Sequence, residues 1–403
     1  MINNFKQYLN NTEFFDNTAN TVVGKYEHQD ILSLEGFEKA SKEITSWDEY
    51  SVTPLVSLDE LAEQTGVSKL YYKNEHFRFS LKSFKALGGA YAVANLLIGK
   101  LKEQGIDANS NDLLAGTYKD ITNKITVSCA TDGNHGKSVA WGASNFGCNC
   151  EIFIHSHVSV SRENEIAKYG AKVNRIDGNY DDSVHIADKT AAEKGYFTVS
   201  DTSYEGYTEV PKDVMQGYTI MVDEALKQMG EKPTHVFLQG GVGGMAAAVA
   251  SFILETYQEE SPIFVMIEPT NADCLLQSAK NGTPTVVHGD LDTVMAGLSC
   301  GEISLLAWKI LENKTKAFFS IPDEPIAEVM KYLSELPEPV VAGESAVAGL
   351  AGYMITQHSP EYRKALQIDE NSKILFLGTE GDTDAVVYEK MVGKSSAEVL
   401  KKA

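Results

Sequence analysis

The sequence predicts an α/β fold built on doubly wound parallel sheets and divided into two domains. Three observations carry that prediction. Short runs that are almost continuously apolar, such as residues 125–130 and 263–267, recur along the chain. They alternate with segments of helical period. Those helical segments stop at glycines, Gly147, Gly170 and Gly195 among them. Strands apolar on both faces and alternating with helices mark parallel sheets covered on both sides. Glycine at a helix end supplies the left-handed residue that stops it.

Residues 1–50 are polar and aromatic without strong periodicity and are expected to form an N-terminal arm. Residues 58–62 read as a short helix and 70–75 as a strand. From about residue 100 the alternation is regular: strand 125–130, turn 131–136, helix 138–146, strand 150–154, helix 162–169, strand 171–176, helix 181–194, strand 196–200. Beyond residue 205 it resumes on a larger scale. Helix 214–229, strand 235–238, a glycine loop with a long small-residue helix and strand 263–267 come first. Helices 272–280, 305–311, 326–333 and 345–354 follow, then strand 374–377. No internal repeat or low-complexity linker interrupts this, so the domain boundary rests on the change of scale.

A chain of 403 residues with 43% apolar and 23% charged residues is long enough for two proper cores. Its formal net charge of −21 excludes nucleic acid and anionic membrane as expected partners, because both need a basic face. Acidity does not exclude a phosphorylated cofactor, which backbone amides at a helix start can hold. The N-terminus lacks a basic lead and apolar core, and the apolar run 246–254 is too short to span a bilayer, so a cytoplasmic protein is expected. Five scattered cysteines, Cys129, Cys148, Cys150, Cys274 and Cys300, suit reduced thiols, and Cys148-x-Cys150 without a second pair is no zinc site. No metal is expected.

Four stretches carry candidate chemistry. The first is Phe79-Ser80-Leu81-Lys82-Ser83-Phe84-Lys85-Ala86-Leu87-Gly88-Gly89-Ala90-Tyr91-Ala92. Lys82 sits on the polar flank. Lys85, among Phe84, Ala86 and Leu87, is the one placed to be partly desolvated, which lowers an amine's pKa and frees it to condense with a carbonyl. An ordinary surface lysine before a helix is the plainer alternative. The second is Thr131-Asp132-Gly133-Asn134-His135-Gly136, between a strand and a helix, where α/β sheets bind ligands. Its amides suit a substrate carboxylate; a capped turn explains it equally.

The third stretch, Gly240-Gly241-Val242-Gly243-Gly244, is a phosphate cradle by spacing and supports two readings. Gly241-x-Gly243-x-x-Ala246 fits a dinucleotide fingerprint, and Glu268 follows 22 residues after Ala246 at the end of the next strand. A nicotinamide dehydrogenase therefore competes, although it explains neither Lys85 nor Asp132 with Asn134. The fourth, Gly378-Thr379-Glu380-Gly381-Asp382-Thr383, ends the last strand, with Thr379 as its candidate. Asp201, closing strand 196–200, emerges at the same sheet edge as Asp132. Two carboxylates converging there would suit a second ammonium on a substrate, with solvated loop acids as the alternative.

The Lys85 segment resembles the cofactor lysine of the threonine dehydratase group, the fold-type II pyridoxal-phosphate enzymes, and the longer string is most similar to the diaminopropionate ammonia-lyases within that group. Asp132, where ordinary threonine dehydratases carry serine or a small residue, strengthens the likeness. Matching strings run from about residue 50 to 385 and include 295–302 and 343–345.

The resemblance implies a tryptophan synthase β-like fold, with residues 1–99 and 206–403 as a large cofactor domain and 100–205 as a small inserted one. It implies pyridoxal 5'-phosphate on Lys85 beside Phe84, with Asn134 on the phenolic oxygen and Gly240, Gly241, Val242, Gly243 and Gly244 on the phosphate. Thr379 falls to the pyridine nitrogen, where an uncharged hydroxyl favours β-elimination over transamination. Thr131, Asp132, Gly133 and His135 fall to the substrate. The implied reaction removes ammonia from D- and L-2,3-diaminopropionate, giving pyruvate and two ammonia. Lys85 is the proton acceptor on its own face, Asp132 on the other, and Asp201 assists. A homodimer is implied as well. The alternatives are a serine or threonine dehydratase, a nicotinamide dehydrogenase and a non-catalytic amino-acid binder.

Overall fold

The computed structural model describes residues 2–21, 26–131, 133–178 and 180–401. The chain divides into two compact units, one of Met1–Leu34, Val52–Phe77 and Met221–Ala403, the other of Glu35–Ser51 and Arg78–Ile220. The segment expected as an insertion, 100–205, lies inside the second unit, which also takes in residues 35–51, 78–99 and 206–220.

Helix packing accounts for those wider bounds. Helix Lys85–Lys102 lies against helix Asn134–Phe146, and small residues on both allow the approach: a Cβ at Gly89 would strike Ser138 Oγ, and one at Gly142 would sit 2.8 Å from Ala90 Cα. The small-residue run after Lys85 is thus a helix-packing surface.

In the first unit seven strands form one sheet in the order Glu13–Asp16, Thr315–Ile321, Ile263–Pro269, His235–Gln239, Lys373–Gly378, Lys69–Asn74, Leu55–Ser57. The five inner strands are parallel, and the two outermost pair antiparallel with their neighbours. His235–Gln239 is buried at every position, as a strand covered on both faces must be. The N-terminal arm supplies an edge strand, Glu13–Asp16, and a 3-10 helix, Ile2–Asn11, whose Phe5 and Tyr8 join the core with Phe237, Tyr353 and Phe376. Strand Thr315–Ile321, absent from the sequence reading, carries Ala317, Phe318 and Phe319 into the interior.

The second unit holds four parallel strands in the order Lys172–Ile176, Asn149–His155, Thr126–Ala130, Phe197–Thr198. Trp47, on the segment after helix Leu34–Ile44, packs its ring 5.7 Å from Phe79 and 5.4 Å from Phe146. No helix among the described residues is long and apolar enough to cross a membrane.

Candidate active site

Each sheet reverses its winding direction once. In the second unit the chain runs outward from Thr126–Ala130 through Asn149–His155 to Lys172–Ile176, then returns to place Phe197–Thr198 on the other side of the first strand. Loops leaving two such neighbouring strands diverge and open a crevice at their carboxyl ends. The loops here are residues 131–133 and 199–203, and they bring together Thr131, Gly133, Asn134, His135 and Asp201. Asp132 lies outside the described residues.

Lys85, first residue of its helix, enters the same crevice: its Nζ donates to Asp201 Oδ2 at 2.5 Å. Their side chains keep only 20% and 17% of their surface exposed. Beneath them His135 is 6% exposed, with Nε2 2.7 Å from the Val199 carbonyl and Nδ1 3.9 Å from Asp201 Oδ2. A carbonyl only accepts, so Nε2 carries the ring proton and Nδ1 faces the carboxylate as a bare nitrogen. Burial pushes the Asp201 carboxyl up, but the Lys85 ammonium, joined by His135 once acid has protonated its ring, overcomes that and holds it well below the usual carboxylate range. Burial also lowers the imidazole, opposed by Asp201, so His135 is neutral near pH 7.

Thr131, expected near the substrate, is engaged within its own loop. Its Oγ1 accepts the amides of Gly133 and Gly136, each at 3.0 Å, and shapes the loop. Gly133 sits at φ +153°, a conformation that side chains resist. His135, expected near substrate, is instead a buried support under Asp201. Phe84 packs its ring 5.3 Å from Lys85 Nζ.

In the first unit the winding reverses between His235–Gln239 and Lys373–Gly378, and the loops leaving them are Gly240–Gly244 and Thr379–Thr383. Gly240 donates to the Ile267 carbonyl at 2.9 Å, so amides available to a phosphate begin at Gly241. Gly243 adopts φ +92° as the residue before helix Gly244–Tyr257, aiming that helix's first amides and positive dipole end along the loop. A Cβ at Gly240 would meet Leu275 Cδ1 at 2.5 Å and Met266 Sδ at 3.0 Å. Val242 does not break the cradle; its carbonyl accepts the Ser304 amide at 2.9 Å and tethers the loop.

Thr379, 4% exposed, receives the side-chain N–H of Gln239 at 2.8 Å. With one lone pair engaged by that N–H, the hydroxyl still has its own proton to give, which suits a ring nitrogen bearing a lone pair. Gln239 and Tyr218 are the polar groups that sequence reasoning missed. A glutamine ending a strand and a tyrosine inside a helix carry no signal of their own.

The dinucleotide reading fails at Glu268. That carboxylate is fully buried and accepts the amides of Leu275 and Leu276, each at 2.7 Å, so it caps helix Cys274–Asn281 and is not open to a ribose. Burial raises its pKa, and the two amides only partly oppose that. No disulfide forms among the described residues.

Comparison with known proteins shows the family. The profile of the family described as pyridoxal-phosphate dependent enzyme matches residues 47–380. The chain is 38% identical over 360 residues to diaminopropionate ammonia-lyase of Salmonella typhimurium, across 85% of this chain and 88% of the relative. It is 38% identical over 352 residues to that of Escherichia coli K12, across 85% and 87%. A crystal structure of the holo Escherichia coli diaminopropionate ammonia lyase superposes with a TM-score of 0.86 at 33% identity, covering 94% of this chain and 96% of that one. The same enzyme with an aminoacrylate-PLP azomethine reaction intermediate gives 0.83 at 34%, covering 94% and 96%. An aspartate racemase and a maize serine racemase, at 19% and 20% identity, share the fold.

Proposed function

The chain belongs to the pyridoxal-phosphate dependent enzymes, and from that premise we propose that it eliminates ammonia from 2,3-diaminopropionate, leaving pyruvate and a second ammonia. The observation carrying this reading is the Lys85–Asp201 pair at the crevice of the small sheet, in a chain 38% identical to diaminopropionate ammonia-lyases. The residues present fit the cofactor: an amine for its aldehyde, a glycine loop with a helix start for its phosphate, and a threonine hydroxyl with a proton to give.

Bound pyridoxal phosphate supplies an electron sink for the pair released at Cα. Lys85 would anchor it, with Phe84 beside the amine and Asn134 toward the phenolic oxygen; Gly241, Val242, Gly243 and Gly244 would hold the phosphate, and Thr379 the ring nitrogen. Gly240 closes the turn. With its amine free and neutral, Lys85 would be the base on its own face and would take the Cα proton of the L-isomer. Asp132 takes that of the D-isomer from the opposite face. Asp201, ionised throughout the neutral range, keeps the Lys85 amine in place and receives the substrate's second ammonium. The amides after Gly133 hold the substrate carboxylate, with Gly133 and Thr131 shaping their loop and His135 supporting Asp201 from below. A cytoplasmic homodimer completes the proposal; absent disulfides among the described residues suit a reducing compartment.

The test is a panel of D- and L-diaminopropionate, D- and L-serine and L-threonine, scored for pyruvate or 2-oxobutyrate. Fast pyruvate release from both diaminopropionate isomers is expected. Faster turnover of serine or threonine would make the chain a dehydratase. Asp132→Asn should slow the D-isomer more than the L-isomer; equal losses would remove the two-faced assignment.

A further inference from the structure

The Tyr218 hydroxyl is buried within the second unit and meets no hydrogen-bond partner among the described residues. The side chain is 1% exposed, and an unsatisfied buried hydroxyl is costly enough to need a reason. Packing does not supply one, because phenylalanine would fill the same volume without it.

The chain clears space for this ring on purpose. A Cβ at Gly88 would strike Tyr218 Cε1, and a Cβ at Gly217 would strike the Leu87 carbonyl. One glycine on each of two helices therefore lets the ring lie beside Lys85. Its centroid is 5.7 Å from Lys85 Nζ and 4.5 Å from that of Phe84. Burial pushes the phenol up, and the Lys85 charge opposes that rise without reversing it. The phenol is thus neutral at any working pH. Lys85 comes near it but makes no hydrogen bond of good geometry there, because the ammonium is turned to Asp201.

That preference belongs to the charged amine. A neutral amine has two hydrogens and one lone pair, and its attraction to a carboxylate falls with the charge. Asp201 Oδ2 takes one hydrogen. We infer that Tyr218 is a positioning residue whose hydroxyl oxygen accepts the other, so that the lone pair of Lys85 is aimed at the Cα proton it removes. The proton then passes from Cα to Nζ, the C–H pair stays on the substrate side, and the phenol keeps its own proton. This inference rests on the assignment of Lys85 as the base for the L-isomer.

Tyr218→Phe tests it. The kcat for L-diaminopropionate should fall about 5- to 10-fold while KM and the kcat for the D-isomer hold within about twofold, as expected for one lost hydrogen bond. In the cofactor-free chain, binding of pyridoxal phosphate to Lys85, followed by visible absorbance, should slow several-fold. The thermal midpoint of that chain should hold or rise, since an unsatisfied group has gone. Equal losses for both isomers, a fallen midpoint, or no change would overturn the inference. Lys85→Ala separates the two levels: if that variant still formed the absorbing species and turned over the L-isomer, the base assignment itself would be lost.

Discussion

The two sheets of this chain open equivalent crevices and furnish them oppositely. At the crevice of the small sheet stand an ammonium, a carboxylate held ionised and a neutral imidazole, Lys85, Asp201 and His135, drawn together from positions as far apart as 116 residues. At that of the large sheet the groups assigned to the cofactor are backbone amides, a threonine hydroxyl and a glutamine, none of which changes charge, while the acids of the same loop, Glu380 and Asp382, are buried and engaged with Ser345 and His76. The same topology therefore supports two tasks. Charged groups facing one another equip a crevice to form bonds and move protons; amides and hydroxyls equip one to hold. Substitutions in the first should strike turnover, and in the second occupancy.

The largest effect is expected at Lys85. Lys85→Ala should abolish the visible absorbance of the loaded protein and lower turnover of the L-isomer by about 10³-fold or more. Borohydride reduction and peptide mass spectrometry of the unaltered protein should place a pyridoxyl group on that residue and no other.

Asp201→Asn comes next. It removes the anion facing the amine and should cost about 10²-fold in turnover with cofactor affinity little changed, which equilibrium titration with pyridoxal phosphate would check. In the holding crevice the pattern inverts. Gly240→Ala forces a methyl toward Leu275 and Met266 and should weaken pyridoxal phosphate binding about 10- to 100-fold, with near-normal turnover at saturating cofactor. Turnover that stays low at saturation would erase the contrast between the two crevices.

The smallest effect on turnover is expected at Asp213. Burial raises the Asp213 carboxyl to about 6, opposed by a hydrogen bond from Asn95 at 3.0 Å. A carboxyl raised in the fold makes its ionised form a burden, fully present above pH 6 and gone below its unfolded value near 4. Asp213→Asn should therefore stabilise the chain by up to about 3 kcal/mol at pH 8 and by little at pH 4, without altering turnover. Denaturant titrations at the two values would measure the difference.

Much of this was legible in the sequence because it is local. The alternation of apolar strands with glycine-stopped helices is written in neighbouring residues, and strand Lys373–Gly378 and helix Leu305–Leu311 fall where periodicity puts them. The cradle and Lys85 announce themselves through short strings. What was not legible is relational. Nothing in Ser200-Asp201-Thr202 says that its carboxylate meets Lys85, and nothing near Tyr218 says that Gly88 is cleared for its ring. Strand Thr315–Ile321 was missed because its apolar run is brief, and edge strand Glu13–Asp16 because pairing with that strand, not its own composition, extends it.

Glu268 closes the matter of what this scaffold can be taught. A designer wishing to seat adenosine on the large sheet would find the glycines and the acid at nearly the right spacing, and would be misled by both. Until the turn at Leu275 and Leu276 received some other acceptor, freeing that carboxylate for a sugar would unravel the helix it starts, so a change of nucleotide preference would have to begin with a new helix cap and only afterwards address the ligand.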